Sequence, residues 1–193
     1  MAQGELFVIY GPSGVGKGTI CKRIFDADPN VRFSVSMTTR QPREGEVEGV
    51  DYFFVSRDEF EDLLGKGGLL EYNVYNETYY GTPKAPVGQW VSEGCKVILE
   101  IDYHGAFQVR ESYSEAVLIF IMPPSIEELE ARITGRGTES EESKQYRLAE
   151  ALGEIGHADQ YDYIVVNDNL DAAVERVRQI MYKEDEDVIS IDQ

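Results

Sequence analysis

Four short, continuous apolar runs divide the chain into repeating blocks. They are "ELFVIY" (5–10), "KVILEID" (96–102), "AVLIFIM" (116–122) and "DYIVVN" (162–167). Continuous rather than alternating apolar runs are typical of strands buried on both faces of a parallel sheet. Because predicted helices separate the runs, the pattern predicts an α/β fold built on a doubly wound parallel sheet.

The segments between these runs have the apolar spacing and capping residues of helices. Two of them, residues 56–64 and 125–133, begin with Ser and carry Glu three residues later, the pattern of a capping box (Ser56 and Glu59; Ser125 and Glu128). Residues 17–28 have apolar side chains at helical spacing, namely Ile20, Ile24 and Phe25. The segment "NLDAAVERVRQIMY" predicts a closing amphipathic helix before an acidic tail.

Two stretches differ in character from this core. Residues 33–40 predict a strand, and the Gly-, Tyr- and charge-rich stretch after it has short alternating strands, so we predict a small mixed β insertion over residues 35–88. Residues 126–156 contain a polar stretch with too little apolar content for a core, which indicates a mobile cover. The predicted core domain consists of the rest: residues 1–34, 89–125 and 157–193.

A Gly-rich loop, "GPSGVGKGT", follows the first predicted strand. It matches the phosphate-loop pattern G-x-x-x-x-G-K-[ST] up to Lys17, but Gly18 replaces the hydroxyl residue and Thr19 comes one place late. Backbone N–H groups, the positive end of the next helix and Lys17 can together hold phosphates; the alternative is an ordinary Gly-rich turn. The predicted nucleotide-phosphate site consists of Gly11, Pro12, Ser13, Gly14, Val15, Gly16, Lys17, Gly18 and Thr19.

Charge and composition exclude several other classes. The net charge is −18, from 36 acidic and 18 basic residues, which disfavours binding to extended nucleic acid but not to a small anion. No apolar run approaches the length needed to cross a bilayer, and the N-terminus lacks the basic segment of a signal peptide. Cys21 and Cys95 are expected to be reduced, buried thiols. We therefore predict a cytoplasmic protein without membrane partners.

A second motif gives the chain its resemblance to a known family. The stretch "SVSMTTRQPREGEVEGVDYFF" (34–54), placed after the phosphate loop, resembles guanylate kinase. Five further motifs occur in the same order as in that family: "YYGTP" (79–83), "LEIDYHGA" (99–106), "IFIMPPS" (119–125), "RITGRGTESEES" (132–143) and "IVVNDNLD" (164–171). The resemblance spans about residues 5–180. It implies the Mg²⁺-dependent reaction of purine metabolism, ATP + GMP ⇌ ADP + GDP, and identifies residues 126–156 as the lid.

The resemblance also implies which residues bind GMP. Arginines and tyrosines would hold the phosphate, and Glu71 would accept hydrogen bonds from guanine N1–H and the 2-amino group, which adenine lacks. The implied GMP-binding set is Ser36, Arg40, Arg43, Glu46, Tyr52, Glu71, Tyr80, Thr82, Glu100 and Asp102. From the residues alone, Arg40 and Arg43 could equally be surface cations that neutralise neighbouring glutamates.

The remaining implied residues would act on the transferring phosphoryl group. Lid arginines and Lys17 would neutralise charge, and Asp102 would orient metal or substrate, so the predicted catalytic set is Lys17, Asp102, Arg132, Arg136 and Arg147. Mg²⁺ would be held by Thr19, by Asp102 or through water. Alternatively, the lid arginines could be surface residues of helices that form ion pairs with glutamates such as Glu128.

Two other functions remain as alternatives. Guanylate kinase-like domains also serve as non-catalytic peptide-binding modules, although these typically lose the phosphate loop and lid arginines that this chain keeps. A nucleoside monophosphate kinase with another base preference is disfavoured by Glu71 together with Ser36 and Thr82. The sequence leaves a monomer and a homodimer equally open.

Overall fold

The computed structural model describes residues 4–134 and 141–183. In that part of the chain the strands are β1 (Glu5–Tyr10), β2 (Val31–Phe33), β3 (Met37–Thr38), β4 (Phe53–Phe54), β5 (Leu69–Tyr75), β6 (Thr78–Pro83), β7 (Lys96–Glu100), β8 (Val117–Met122) and β9 (Tyr163–Val166). The α-helices are α1 (Lys17–Ala27), α2 (Arg57–Gly65), α3 (Lys84–Ser92), α4 (Tyr103–Ser112), α5 (Ile126–Thr134), α6 (Glu141–Ile155) and α7 (Leu170–Tyr182).

The predicted α/β fold is confirmed. Five strands form a sheet in the order β2-β7-β1-β8-β9, and β2–β7, β1–β8 and β8–β9 pair in parallel. Four other strands form a smaller mixed sheet in the order β4-β3-β6-β5. The four apolar runs correspond to β1, β7, β8 and β9, so continuous hydrophobicity identified four of the five strands of the larger sheet.

The single strand predicted over residues 33–40 is wrong. This stretch contains the end of β2 and the whole of β3, which belong to different sheets. Between them the backbone changes partners: the Ser34 N–H donates to the Ile98 carbonyl, and the Ser36 carbonyl accepts from the Phe53 N–H. The chain thus leaves one sheet and enters the other within three residues.

The chain divides into two compact units. The first comprises Met1–Leu6 and Asn30–Ala116, and it contains the smaller sheet together with α2, α3 and α4. Helix α2 lies between β4 and β5 in sequence and begins with the predicted capping box of Ser56 and Glu59. Its Phe60 is fully buried.

The second unit comprises Phe7–Pro29 and Val117–Gln193. Its core is made by the inner strands, with Phe7, Ile9, Leu118 and Phe120 almost completely removed from solvent. Side chains of this size each contribute about 1.5–3 kcal/mol when fully buried. Strand β9 is less buried than predicted because it is the last strand of the sheet, and Ile164 and Val166 are partly exposed.

Three local predictions have mixed outcomes. Ile20 and Ile24 are buried on α1, but Phe25 is 47% exposed because the next residue along a helix is rotated by about 100° from the buried face. Cys21 and Cys95 are free and buried, as predicted.

At the start of α5, Ser125 Oγ accepts from the Glu128 N–H at 3.1 Å, which is half of the predicted capping box. The Glu128 carboxylate binds Arg132.

Within residues 4–134 and 141–183, no helix is both long enough and apolar enough to cross a bilayer.

Candidate active site

The Gly-rich loop joins β1 to α1 in the second unit and depends on its glycines. Gly11 and Gly16 have φ values of 153° and 99°, and α1 begins directly after Gly16. A Cβ atom at Gly11 would lie 2.3 Å from the Ile121 carbonyl oxygen, and one at Gly16 would lie 2.7 Å from Asn167 Nδ2. Larger residues are therefore excluded by both backbone conformation and space.

Lys17 folds back over this loop. Its Nζ donates to the Gly11 carbonyl at 2.7 Å and lies 5.8 Å from the centroid of the Tyr10 ring. Val15 anchors the loop in the core, whereas Gly18 and Thr19 are exposed in the first turn of α1. The N–H groups of this turn and the Lys17 ammonium lie together, as a phosphate site requires.

The predicted lid arginines have different surroundings. Arg147 on α6 donates from Nη2 to Ser13 Oγ at 2.7 Å, so the structure brings it to the phosphate loop. Arg132 on α5 forms an ion pair with Glu128 at 3.1 Å, the helix-surface pair that was the alternative to a catalytic role. Its Nη2 also donates to the Asn167 carbonyl at 3.4 Å. Arg136 lies outside the described residues.

Asn167 is a residue that sequence reasoning missed. It follows β9 and is buried; its Nδ2 donates to the Val15 carbonyl at 2.7 Å, and its backbone N–H donates to Met122 at 2.8 Å. Asn167 therefore ties the phosphate loop to the ends of β8 and β9. Its position directly after a core strand of a parallel sheet is the signal that could have identified it.

In the first unit, Arg40 and Glu46 form a bidentate ion pair. Arg40 Nη1 and Nη2 lie 2.6 and 2.7 Å from the two Glu46 carboxylate oxygens. Glu46 also accepts from the Arg43 backbone N–H at 2.7 Å. These hydrogen bonds, chiefly that from Arg40, lower the pKa of Glu46 to about 2. The Arg43 side chain is exposed.

Two tyrosines surround the Arg40 guanidinium. The guanidinium carbon lies 4.9 Å from the centroid of the Tyr52 ring, and the Tyr52 and Tyr80 rings are 6.0 Å apart. A guanidinium stacked on an aromatic ring in this way has a restricted orientation. The structure thus groups Arg40, Glu46, Tyr52 and Tyr80, as the motif predicted. Ser36, in the connection before β3, is partly buried.

Glu71 is a buried carboxylate on β5. It is 6% exposed, and Thr82 on the paired strand β6 donates from Oγ1 to Glu71 Oε1 at 2.5 Å. Burial raises the pKa of Glu71 to about 7, and the nearby Asp102 charge acts in the same direction. A buried carboxyl group with a raised pKa is typical of a ligand-binding position.

Asp102 does not end strand β7, as the sequence suggested. Strand β7 ends at Glu100, and Asp102 is the exposed N-cap of α4, accepting from the Gly105 N–H at 2.8 Å. Its other carboxylate oxygen accepts from Asn73 Nδ2 at 2.6 Å. The predicted strand over residues 96–102 is therefore two residues too long, and the placement of Asp102 beside β5 keeps it near Glu71. Glu100 is only partly buried.

The parallel sheet and the Gly-rich loop between β1 and α1 define the class of P-loop nucleotide-binding proteins. A family model for guanylate kinase matches residues 3–184. The chain is 50% identical to a guanylate kinase from Oceanobacillus iheyensis, over 94% of this chain and 88% of the relative. It is 52% identical to one from Parasynechococcus marenigrum, over 92% of this chain and 98% of that relative.

A solved structure agrees with these matches. The crystal structure of guanylate kinase from Anaplasma phagocytophilum superposes with a TM-score of 0.76 at 35% identity, covering 96% of this chain and 88% of the other. The chain belongs to the guanylate kinase family.

Proposed function

We propose that this chain transfers the γ-phosphoryl group of ATP to GMP or dGMP, giving ADP and GDP. The observation that carries the base preference is the buried Glu71 carboxylate beside Thr82. Guanine presents two adjacent donors, N1–H and the 2-amino group, that an ionised carboxylate can accept together. Adenine has an acceptor at N1 and no 2-amino group, so it would leave Glu71 unsatisfied. Membership of the guanylate kinase family supports the same reaction.

The ATP phosphates are assigned to the second unit. The backbone of the Gly-rich loop and Lys17 would hold them, which requires the Lys17 ammonium to exchange the Gly11 carbonyl for a phosphate oxygen. Arg147 supports this assignment because it already lies against Ser13. Together with Arg132 and Arg136 it would neutralise the charge that develops during transfer. Residues 126–156 would act as the cover that excludes water.

The GMP phosphate is assigned to the first unit. Arg40, Arg43, Tyr52 and Tyr80 would donate to it, in the insertion formed by residues 35–88. Since the attacking phosphate oxygen is already anionic, the reaction needs positioning and charge neutralisation more than a strong general base. The remaining members of the proposed GMP set lie around Glu71 or in the arginine motif: Ser36, Glu46, Thr82, Glu100 and Asp102.

Mg²⁺ is the proposed cofactor, and it is expected to arrive with ATP. Among the described residues, no three His, Cys, Asp or Glu side chains form a group that could hold a metal ion by themselves. Mg²⁺ fits this donor set because it commonly keeps several waters and binds substrate phosphates with one or two protein oxygens. Thr19 and Asp102 are the candidate oxygens. Bound Mg²⁺ supplies charge neutralisation at the phosphates.

One assay tests the proposal against its alternatives. ADP production would be measured with GMP, dGMP, AMP and UMP as acceptors. We expect turnover with GMP and dGMP and little with AMP or UMP. Folded protein that binds GMP but produces no ADP would refute the enzyme and favour a non-catalytic module. Equal turnover with AMP and GMP would refute the role of Glu71. The cytoplasmic location and the choice between monomer and homodimer stay predictions.

A further inference from the structure

We propose that Asn73 and Gln108 are positioning residues for guanine recognition. Neither belongs to the nucleotide-binding set; each connects β5, which carries Glu71, to α4, which begins after Asp102. The inference rests on the proposed function of Glu71 and Asp102 and adds two residues that act through them.

Gln108 closes the open edge of the smaller sheet at one residue. Strand β5 is the last strand of that sheet, so backbone groups on its outer side have no neighbouring strand. The Tyr72 N–H donates to Gln108 Oε1 at 3.1 Å, and Gln108 Nε2 donates to the Tyr72 carbonyl at 2.8 Å. One side-chain amide thus replaces a strand partner and fixes α4 against β5.

Asn73 fixes the same two elements one residue further on. Its Nδ2 donates to Asp102 Oδ2 at 2.6 Å, while Asp102 Oδ1 caps α4 through the Gly105 N–H. Asn73 therefore orients the Asp102 carboxylate without competing for the oxygen that caps the helix. Its own Oδ1 accepts from the Val74 N–H at 2.8 Å, so its amide orientation is set from both ends.

Glu71 lies inside the space that these contacts define. Residues 71 and 73 point to the same face of β5, because side chains alternate along a strand. A Cβ atom at Gly105 would lie 2.7 Å from Glu71 Oε2, so the first turn of α4 approaches this carboxylate as closely as a glycine permits. A shift of α4 along β5 would change both the position of Glu71 and its distance from Asp102.

Loss of either amide is therefore expected to weaken GMP binding more than ATP binding. We expect Asn73→Ala and Gln108→Ala each to raise the KM for GMP about fivefold. A fivefold change corresponds to the net free energy of about one hydrogen bond. The KM for ATP and kcat should change less than about twofold in Gln108→Ala, whose amide bonds only the Tyr72 backbone among the described residues. Asn73→Ala also releases Asp102, a candidate oxygen for Mg²⁺, and should lower kcat as well. The preference for GMP over inosine monophosphate, which lacks the 2-amino group, should fall.

Matched variants separate positioning from a general loss of stability. Gln108→Glu keeps the shape and the acceptor for Tyr72 but places a carboxylate beside the Tyr72 carbonyl, so it should behave like Gln108→Ala. Gln89→Ala removes an exposed amide, bonded to Glu93 at 2.9 Å on α3 of the same unit, and should leave all constants unchanged. Calorimetric Kd values for GMP and inosine monophosphate would accompany the kinetics.

Measuring GMP binding separately from turnover distinguishes failure of this inference from failure of the proposed function. If the unaltered protein binds GMP without turnover, the enzyme proposal fails, yet the Kd values still test Asn73 and Gln108. Unchanged GMP affinity and selectivity in both alanine variants would overturn the inference. Equal increases in KM for ATP and GMP, with a lower unfolding midpoint, would also overturn it, because they would indicate only a structural role.

Discussion

Replacing Glu71 with Gln should stabilise the protein at alkaline pH and have little effect at acid pH. Glu71 is buried against Thr82, and this burial raises the pKa of its carboxyl group to about 7 from an ordinary value of 4.5. Between these two pH values the folded chain keeps a proton that the unfolded chain has released. The free energy of unfolding therefore falls as pH rises from about 4.5 to about 7 and levels off above it.

The magnitude follows from the difference between the two pKa values. Each pH unit of difference corresponds to about 1.4 kcal/mol, so ionisation of Glu71 lowers stability by up to about 3 kcal/mol above pH 7. Gln has nearly the same shape and no charge, and its carbonyl can accept the Thr82 hydrogen bond. Glu71→Gln should therefore be more stable than the unaltered protein at pH 8 by up to about 3 kcal/mol, and similar to it at pH 5.

Urea unfolding at pH 5, 6, 7 and 8 measures this difference. Glu44→Gln is the matched control, since Glu44 is an exposed carboxylate whose neutralisation should produce no such pH-dependent gain. A stability difference between Glu71→Gln and the unaltered protein that is the same at pH 5 and pH 8 would show that burial does not raise the pKa of Glu71. The same titration predicts that the KM for GMP falls as pH rises through 7 and levels off about one pH unit higher, because guanine donors need the ionised carboxylate.

Three further substitutions test separate parts of the site by initial-rate kinetics with ATP and GMP varied independently. Lys17→Ala should lower kcat by about a hundredfold or more and leave the Kd for GMP nearly intact; a comparable loss of GMP affinity would contradict separate substrate sites. Glu46→Gln should raise the KM for GMP about tenfold by weakening its hold on Arg40, with Glu44→Gln unchanged; equal effects of the two would contradict this role. Asn167→Ala leaves the buried Val15 carbonyl without its donor and should raise the KM for ATP about tenfold. An unchanged KM for ATP would show that the loop keeps its geometry without Asn167.

Features that depend on a few neighbouring residues could be predicted from the sequence. The Gly-rich loop, the cap of α2 at Ser56 and the apolar strands are specified within short windows, because backbone conformation, capping and burial on both faces leave local patterns. The grouping of Arg40, Glu46, Tyr52 and Tyr80 was predicted for a different reason, namely the family resemblance.

Features that depend on distant partners could not be predicted in this way. The bend between β2 and β3 is set by a hydrogen bond from the Ser34 N–H to the Ile98 carbonyl and one from the Phe53 N–H to the Ser36 carbonyl. Ile98 and Phe53 lie outside the local sequence window. In the sequence Gln108 is an ordinary polar helix residue, and only the structure shows that it bonds the Tyr72 backbone at the edge of β5. The hydrogen bond from Asn167 to the Val15 carbonyl likewise depends on the end of β9 lying beside the phosphate loop. Polar side chains that satisfy distant backbone groups leave no periodic signal.

Three of the proposed ligand-binding groups already have partners within the chain, and this determines how their binding energies should be interpreted. Lys17 is bonded to the Gly11 carbonyl, Arg40 to Glu46, and Glu71 to Thr82. At Lys17 and Glu71 a nucleotide must therefore exchange or share existing hydrogen bonds, so each contact contributes only the difference between two partners. Arg40 differs, because its buried Nε has no hydrogen-bond partner among the described residues. At Arg40 the bidentate pair with Glu46 fixes the guanidinium, so the proposed phosphate would bind beside this pair rather than replace it. At Lys17, exchange favours a phosphate over a weaker anion, which makes the internal hydrogen bond a contributor to selectivity as well as to folding.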